Sequence, residues 1–240
     1  MTIFDTLGFG PKGWGALLLL AALTTLAVTL TALAIGALFG ALVAWAKLSP
    51  ALLPRIVGDA YTTLFRGVPE LLVIYLVYFG GSHAVTAIGN ALGAEGFFGL
   101  PSFLSGALAV GLISGAYQAE VYRGAFLAVA TGEIEAAKAT GMATLLRFRR
   151  IIVPQVLRFA LPGLGNVWQL TLKDSALISV TGLAELMRTS QLGAGSTRQY
   201  FLFYITGACL YLILTSLSDR VFGAAESHVG KSFRRSVGRT

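Results

Sequence analysis

Residues 133–155, EIEAAKATGMATLLRFRRIIVPQ, place two acids, a run of small residues and then Lys138, Arg147, Arg149 and Arg150 between two long apolar blocks. In a soluble domain, where about a quarter of the residues are charged, such a segment would be ordinary. Here 12% of the 240 residues are charged, 55% are hydrophobic and the mean hydropathy is +0.75. That composition belongs to an integral membrane protein, and its charged segments mark the gaps where the chain meets water.

The blocks on either side give the architecture. A helix needs about 20 predominantly apolar residues to cross the hydrocarbon. Five stretches qualify: Trp14 to Ala46, Ile56 to Gly80, Phe103 to Gln118 or a little beyond, Ile152 to Leu172 continuing to Val180, and Phe201 to Val221. The first is too long for a signal-peptide core and lacks a cleavage site of small residues, so it reads as a retained, tilted helix. The predicted fold is all-α, a bundle of five transmembrane helices forming one domain over residues 1–240. Small residues recur every four positions at Gly36, Gly40 and Ala44 and again at Gly111, Gly115 and Ala119, which lets helix backbones approach closely in lipid.

Five spans put the termini on opposite faces. The connection from Gly81 to Ser102 holds no Lys or Arg, whereas Arg123, Lys138, Arg147, Arg149 and Arg150 crowd the next one and Lys231, Arg234, Arg235 and Arg239 follow the last block. Positive loops stay cytoplasmic. The N-terminus is therefore expected outside, with 133–155 and the C-terminal tail in the cytoplasm. Arg188 and Arg198 run against this rule after the fourth block, with Glu185 partly balancing them. A formal net charge of +7 would suit nucleic acid, but the basic residues gather at membrane gaps, so the expected partner is the lipid bilayer and no nucleic acid.

Little in the chain points to chemistry. Cys209 is the only cysteine, which excludes an intrachain disulfide and a thiolate cluster, and His83 and His228 lie too far apart in sequence to suggest a metal centre. Gly230-Lys231-Ser232 matches the end of a phosphate loop, but Ala225 stands where its first Gly belongs and no strand precedes it, so it reads as a basic tail. No nucleophile with a base and an orienting acid can be assembled, so the chain is not expected to act as an enzyme on its own.

The segment 133–155 itself reads as a short helix, a sharp turn and a second segment. Glu133 and Glu135 suit a helix N-terminus after Thr131 and Gly132, Ala136, Ala137 and Ala139 favour helix, and Gly141 can take the left-handed conformation that closes it. A second, basic segment then runs back to the membrane at Pro154. Composition alone fits an amphipathic helix resting on headgroups, its arginines held by anionic lipid.

The spacing says more. Glu135-Ala136-Ala137, three residues, Gly141, nine residues, Ile151, one residue and Val153-Pro154 resembles the EAA loop of ABC importer permeases, with Val153 as a conservative departure from Leu. The resemblance continues through YTTLFRGVPE (61–70), GAYQAEVYRGAF (115–126), LPGLGNVWQ (161–169) and LKDSALISVTGL (172–183) and covers nearly the whole chain. It is similar to the polar amino-acid permeases, most closely the Q-type subunit of histidine/lysine/arginine/ornithine and opine importers. The resemblance implies a bacterial inner-membrane permease domain whose EAA segment, Glu135, Ala136, Ala137, Gly141 and Pro154, is a cytoplasmic coupling helix docking on a separate ABC ATPase dimer. It further implies a second permease subunit, identical or a related M-type chain, and a substrate-binding protein outside. ATP would be used by the partner ATPase and no cofactor bound by this chain.

Polar groups at membrane depth mark the expected pathway. Arg66 and Glu70, four apart, would share a helical face, with Pro69 breaking the helix nearby. They read as facing a solute pathway or as an ion pair that locks the kink, two roles that do not exclude each other. Lys173, Asp174 and Ser175 form the second place: adjacent residues point about 100° apart, so Lys173 or Asp174 should look into the bundle, unless Lys173 snorkels to headgroups with Asp174 as its partner. The resemblance adds Gly67 and Val68 at the kink and favours a pathway role for both places, and Glu70, standing where the wider family often has an apolar residue, would suit a cationic cargo. Glu120 and Arg123 are read as bracing the coupling segment, with a solvated surface pair as the other reading. The rival function is a stand-alone secondary transporter or channel, which internal inverted repeats would favour; none is visible in the sequence.

Overall fold

The structure, a computed structural model, describes residues 3–11, 13–93 and 96–237, with side chains described between Asp5 and Val229. The basic residues Lys231, Arg234, Arg235 and Arg239 have side chains outside the described residues. All regular structure among the described residues is helical. A short helix α1 (Ile3–Leu7) precedes α2 (Gly15–Leu48), which at 34 residues is about 50 Å long and exceeds a hydrocarbon core of about 30 Å.

Helix α2 lies along α6 (Ser102–Leu127) in the most extensive helix pairing of the fold. The two small-residue stripes meet there, a pairing that the spacing alone does not specify. A Cβ on Gly36 would stand 2.6 Å from Gln118 Nε2 and 3.1 Å from the Gly111 carbonyl oxygen, so only glycine lets the backbones come this close. The core beside this seam combines Val28 and Ala32 of α2, Ala107, Val110 and Ile113 of α6, and Val73, Ile74 and Ile178.

The second predicted span is out of register. Helix α3 (Leu52–Gly67) ends before Val68, which is extended (φ −93°, ψ 136°), and Pro69, which has no N–H to continue the ladder. Helix α4 (Glu70–Tyr75), a π-helical turn (Leu76–Gly80) and α5 (Gly81–Ala91) then run on without interruption. The helix that is long and apolar enough to cross is thus Glu70–Ala91, not Ile56–Gly80, and the connection expected from Gly81 shrinks to residues 92–101. The shift arises because Gly80 and Gly81 read as an end, yet both hold ordinary helical dihedrals.

Among the described residues four helices are long and apolar enough to cross a membrane: Gly15–Leu48, Glu70–Ala91, Ser102–Leu127 and Tyr200–Val229, the last within α11 (Tyr200–Val237). The fourth expected block is the 22-residue α9 (Val153–Asp174), which is not among them because Arg158, Asn166, Gln169, Lys173 and Asp174 dilute its hydropathy. A 3-10 helix (Ser175–Thr181) and α10 (Leu186–Thr197) link it to α11.

Candidate functional site

The break at Gly67-Val68-Pro69 sets the first candidate residues. Because α3 stops there, Arg66 and Glu70 do not share a helical face, and neither belongs to an ion pair among the described residues. The ion-pair reading is corrected. Arg66 instead lays its guanidinium over the Tyr117 ring of α6, 5.4 Å from the centroid, a cation–π contact. Glu70 opens α4, where the helix dipole favours an acid.

The second candidate group divides. Asp174 is half-buried and lies within electrostatic reach of both Glu70 and Lys173, since α4 packs against the 3-10 helix that begins at Ser175. Ser175 is buried, its hydroxyl donating to the Leu172 carbonyl at 2.7 Å. Lys173 points elsewhere: it is exposed and lines a cavity of about 600 Å³ with Met187, Ser190, Tyr204, Gly207 and Tyr211, against α10 and α11. The fold therefore brings Glu70 within electrostatic reach of Asp174, while the Lys173 side chain, also within reach of Asp174, lines the cavity against α10 and α11.

Segment 133–155 folds as its pattern predicts. Helix α7 (Thr131–Ala139) carries Glu133 in its first turn and exposes Glu135 and Ala136, while Ala137 is buried. Gly141 closes it at φ +75°, with its N–H donating to the Lys138 carbonyl at 2.9 Å and that of Met142 to the Ala137 carbonyl at 3.1 Å. This pair of bonds defines a Schellman cap. Helix α8 (Thr144–Arg147), a π-helical turn (Phe148–Ile152) and α9 follow as one continuous run. Pro154 removes one backbone donor from that run, and the wider π turn just before it takes up the disruption. The Gln155 amide donates to the Glu133 carboxylate, tying α7 to the start of α9.

Glu120 and Arg123 do pair, at 3.0 Å, but they do not brace α7. Glu120 also meets Lys47 of α2, whose ammonium reaches Asp59 at 3.0 Å and the Thr62 hydroxyl at 2.9 Å on α3. The network clamps α2, α3 and α6 together. Sequence spacing cannot reveal it, because Lys47 lies 73 positions from Glu120. Glu185 was read as balancing Arg188 and Arg198; in the fold it is fully buried, caps α10 by accepting from the Met187 and Arg188 backbone N–H groups at 2.8 and 2.6 Å, and accepts from the Tyr211 hydroxyl at 3.1 Å. Burial pushes its carboxyl above the ordinary carboxylate range, against the pull of those donors. An acid followed by a helical run is a capping signal, and it was the one clue available.

Known proteins resemble this chain in sequence and fold. The chain is 53% identical over 237 residues to the octopine transport system permease protein OccQ of Rhizobium meliloti, covering 99% of this chain and 100% of that protein. It is 38% identical over 209 residues to the histidine/lysine/arginine/ornithine transport system permease protein HisQ of Escherichia coli, covering 87% and 91%. A solved amino acid ABC transporter with histidines superposes with a TM-score of 0.75 at 32% identity over 90% of this chain and 95% of that one. Residues 36–231 match the model of the binding-protein-dependent transport system inner membrane components, and with relatives this similar along its length, the chain belongs to that family.

Proposed function

We propose that the chain is the permease subunit of an ATP-driven ABC importer for opines or basic amino acids, and that it lines the translocation pathway with a second permease subunit, identical or M-type. The observation that carries the cargo class is the approach of Glu70 and Asp174 beside a broken helix, two acids outside the described ion pairs with the single charge of Lys173 within electrostatic reach of Asp174. Acids at membrane depth are costly unless they meet a positive partner, and a cationic cargo is such a partner. Gly67, Val68 and Ser175 shape the same place, with Arg66 held aside by Tyr117. The relatives' named cargoes, octopine and histidine, lysine, arginine and ornithine, agree with that charge.

In this reading α9 is the fifth span, the N-terminus lies outside and the C-terminus is cytoplasmic. A binding protein delivers cargo from outside, and ATP, hydrolysed by separate ATPase subunits, closes the partner dimer against Glu135, Ala136, Ala137 and Gly141. The continuous helical run from α8 through Pro154 to Asp174, about 45 Å at 1.5 Å per residue, links the α7 turn at one end to the acid pair at the other. It is a lever of fixed length. Docking motions at α7 thereby reach the pathway without chemistry in this chain.

Uptake of labelled arginine into proteoliposomes holding the full transporter tests the proposal. Glu70→Gln keeps size and hydrogen bonding and is expected to lower uptake of cationic cargo at least tenfold with the complex intact. Adding Arg66→Met should not restore it, because the two side chains are not paired. Full uptake by Glu70→Gln would refute the role of the acid pair.

A further inference from the structure

A second cavity, of about 620 Å³, opens on the outer surface where the end of α2, the end of α6 and the start of α9 converge. Its walls are apolar, with Ala41 and Trp45 on one side, Tyr122 and Phe126 on another and Phe148 and Val156 on the third. Trp45 and Phe148 are 73% and 50% exposed, so the groove is continuous with the lipid-facing surface. Directly beside Phe148 stand Arg149 and Arg150, both exposed and without an ion-pair partner among the described residues. An apolar groove with two exposed guanidiniums carried on the helical turn that forms one wall complements a molecule with a hydrocarbon chain and an anionic head.

We infer that this groove binds one anionic phospholipid of the inner leaflet, its acyl chain in the cleft between α2, α6 and α9 and its phosphate on Arg149 and Arg150. Trp45 marks the interface depth, as indoles do. The π-helical turn matters here, because it places Phe148 and Ile152 in the groove wall with the two exposed arginines between them on the same turn. The inner-leaflet assignment rests on the topology proposed above; the site itself does not. A lipid seated there would touch both the end of α6 that leads into α7 and the π turn that follows it, fixing the coupling segment from its two ends.

Native mass spectrometry of the full-length chain in detergent, titrated with phosphatidylglycerol or phosphatidylcholine of the same acyl chains, tests the site without ATPase or cargo. Phosphatidylglycerol is expected to bind more tightly. Arg149→Gln and Arg150→Gln should each weaken it about fivefold, the effect of one surface cation on anionic lipid, and leave phosphatidylcholine unchanged. Ala41→Trp, at an exposed groove position that leaves the helix seam intact, should displace both lipids. Equal binding of the two lipids, or an Ala41→Trp chain that keeps its phosphatidylglycerol, overturns the proposal; so does an Ala41→Trp chain that loses self-association instead of lipid, which would make the groove a subunit contact. Failure of the importer reading would appear in uptake and ATPase binding, which this titration does not touch.

Discussion

Replacing Gly141 tests the coupling turn through a single backbone angle. Its φ of +75° lies in the left-handed region, and a Cβ built there meets nothing within 4 Å, so any penalty comes from the backbone and none from crowding. An L-residue pays roughly 1–2 kcal/mol in that conformation. Alanine should sit near the lower figure, a β-branched valine at or above the upper one, and asparagine below alanine because it tolerates this region. If the turn stays closed, the strain lowers the melting temperature; if it opens, the two Schellman bonds are lost and the docking surface with them. At about 1.4 kcal/mol per factor of ten, binding of the purified ATPase dimer should weaken about fivefold for Gly141→Ala and at least thirtyfold for Gly141→Val, less any part absorbed as lost stability. Gly141→Asn should stay close to the unsubstituted chain. Gly124→Ala, in open space on α6 without a positive φ, serves as the control and should change neither quantity. Undiminished ATPase affinity, stability and transport in Gly141→Val would refute the coupling-turn assignment, and an Asn variant as poor as Val would show that something other than φ is at stake.

Three further expectations follow from the same geometry. In a Cys209→Ala background, cysteines at the exposed positions Gly93 and Lys138 should react with a membrane-impermeant thiol reagent from opposite sides of right-side-out vesicles, Gly93 from outside; labelling of Lys138→Cys alone would invert the topology. Lys47→Met strips the shared cation from Asp59 and Glu120 and should destabilise the chain by about 3 kcal/mol, read by thermal unfolding, whereas Asp59→Asn, at a side chain 58% exposed, should cost under about 1 kcal/mol. Because Glu185 has a raised carboxyl pKa when folded, its ionisation opposes folding: stability should decline as pH rises from the ordinary carboxylate value through the raised one, and Glu185→Gln should flatten that slope in melting curves.

Local signals in the sequence transferred well to the fold. Gly141 and the four-residue small stripes of α2 and α6 were readable because each rests on interactions within a few residues or on one repeated spacing. The break at Pro69 was readable for the same reason, being fixed by a missing donor. The bounds of the second span were not, since two glycines in a row look like an ending and become one only if the neighbours fail to hold the helix. Contacts between distant elements were hidden altogether. Nothing near Lys47 in the chain announces Asp59 and Glu120, and nothing near Arg66 announces Tyr117, so the sequence offered Arg66 the nearest acid, which the fold then carried away to the other side of the break.

The residues that make α9 fail as an apolar span are informative for that reason. A lipid-facing helix has every reason to be uniformly apolar, and Arg158, Asn166, Gln169, Lys173 and Asp174 break that rule along its whole length. Yet Ala160, Val167, Trp168, Thr171 and Leu172 of the same helix are buried and α9 packs closely on α6, so it is held by protein and is not a stray surface helix. Gln169 donates to Asp219 of α11, and the Thr171 hydroxyl donates to Ser114 of α6 at 3.1 Å, so the polar groups are partly spent on neighbours. The Trp168 indole N–H and the Gln169 carbonyl oxygen are buried without a partner, and buried polar atoms of that kind require one. A helix too polar for lipid yet held against α6 and α11 suits the pathway wall proposed above.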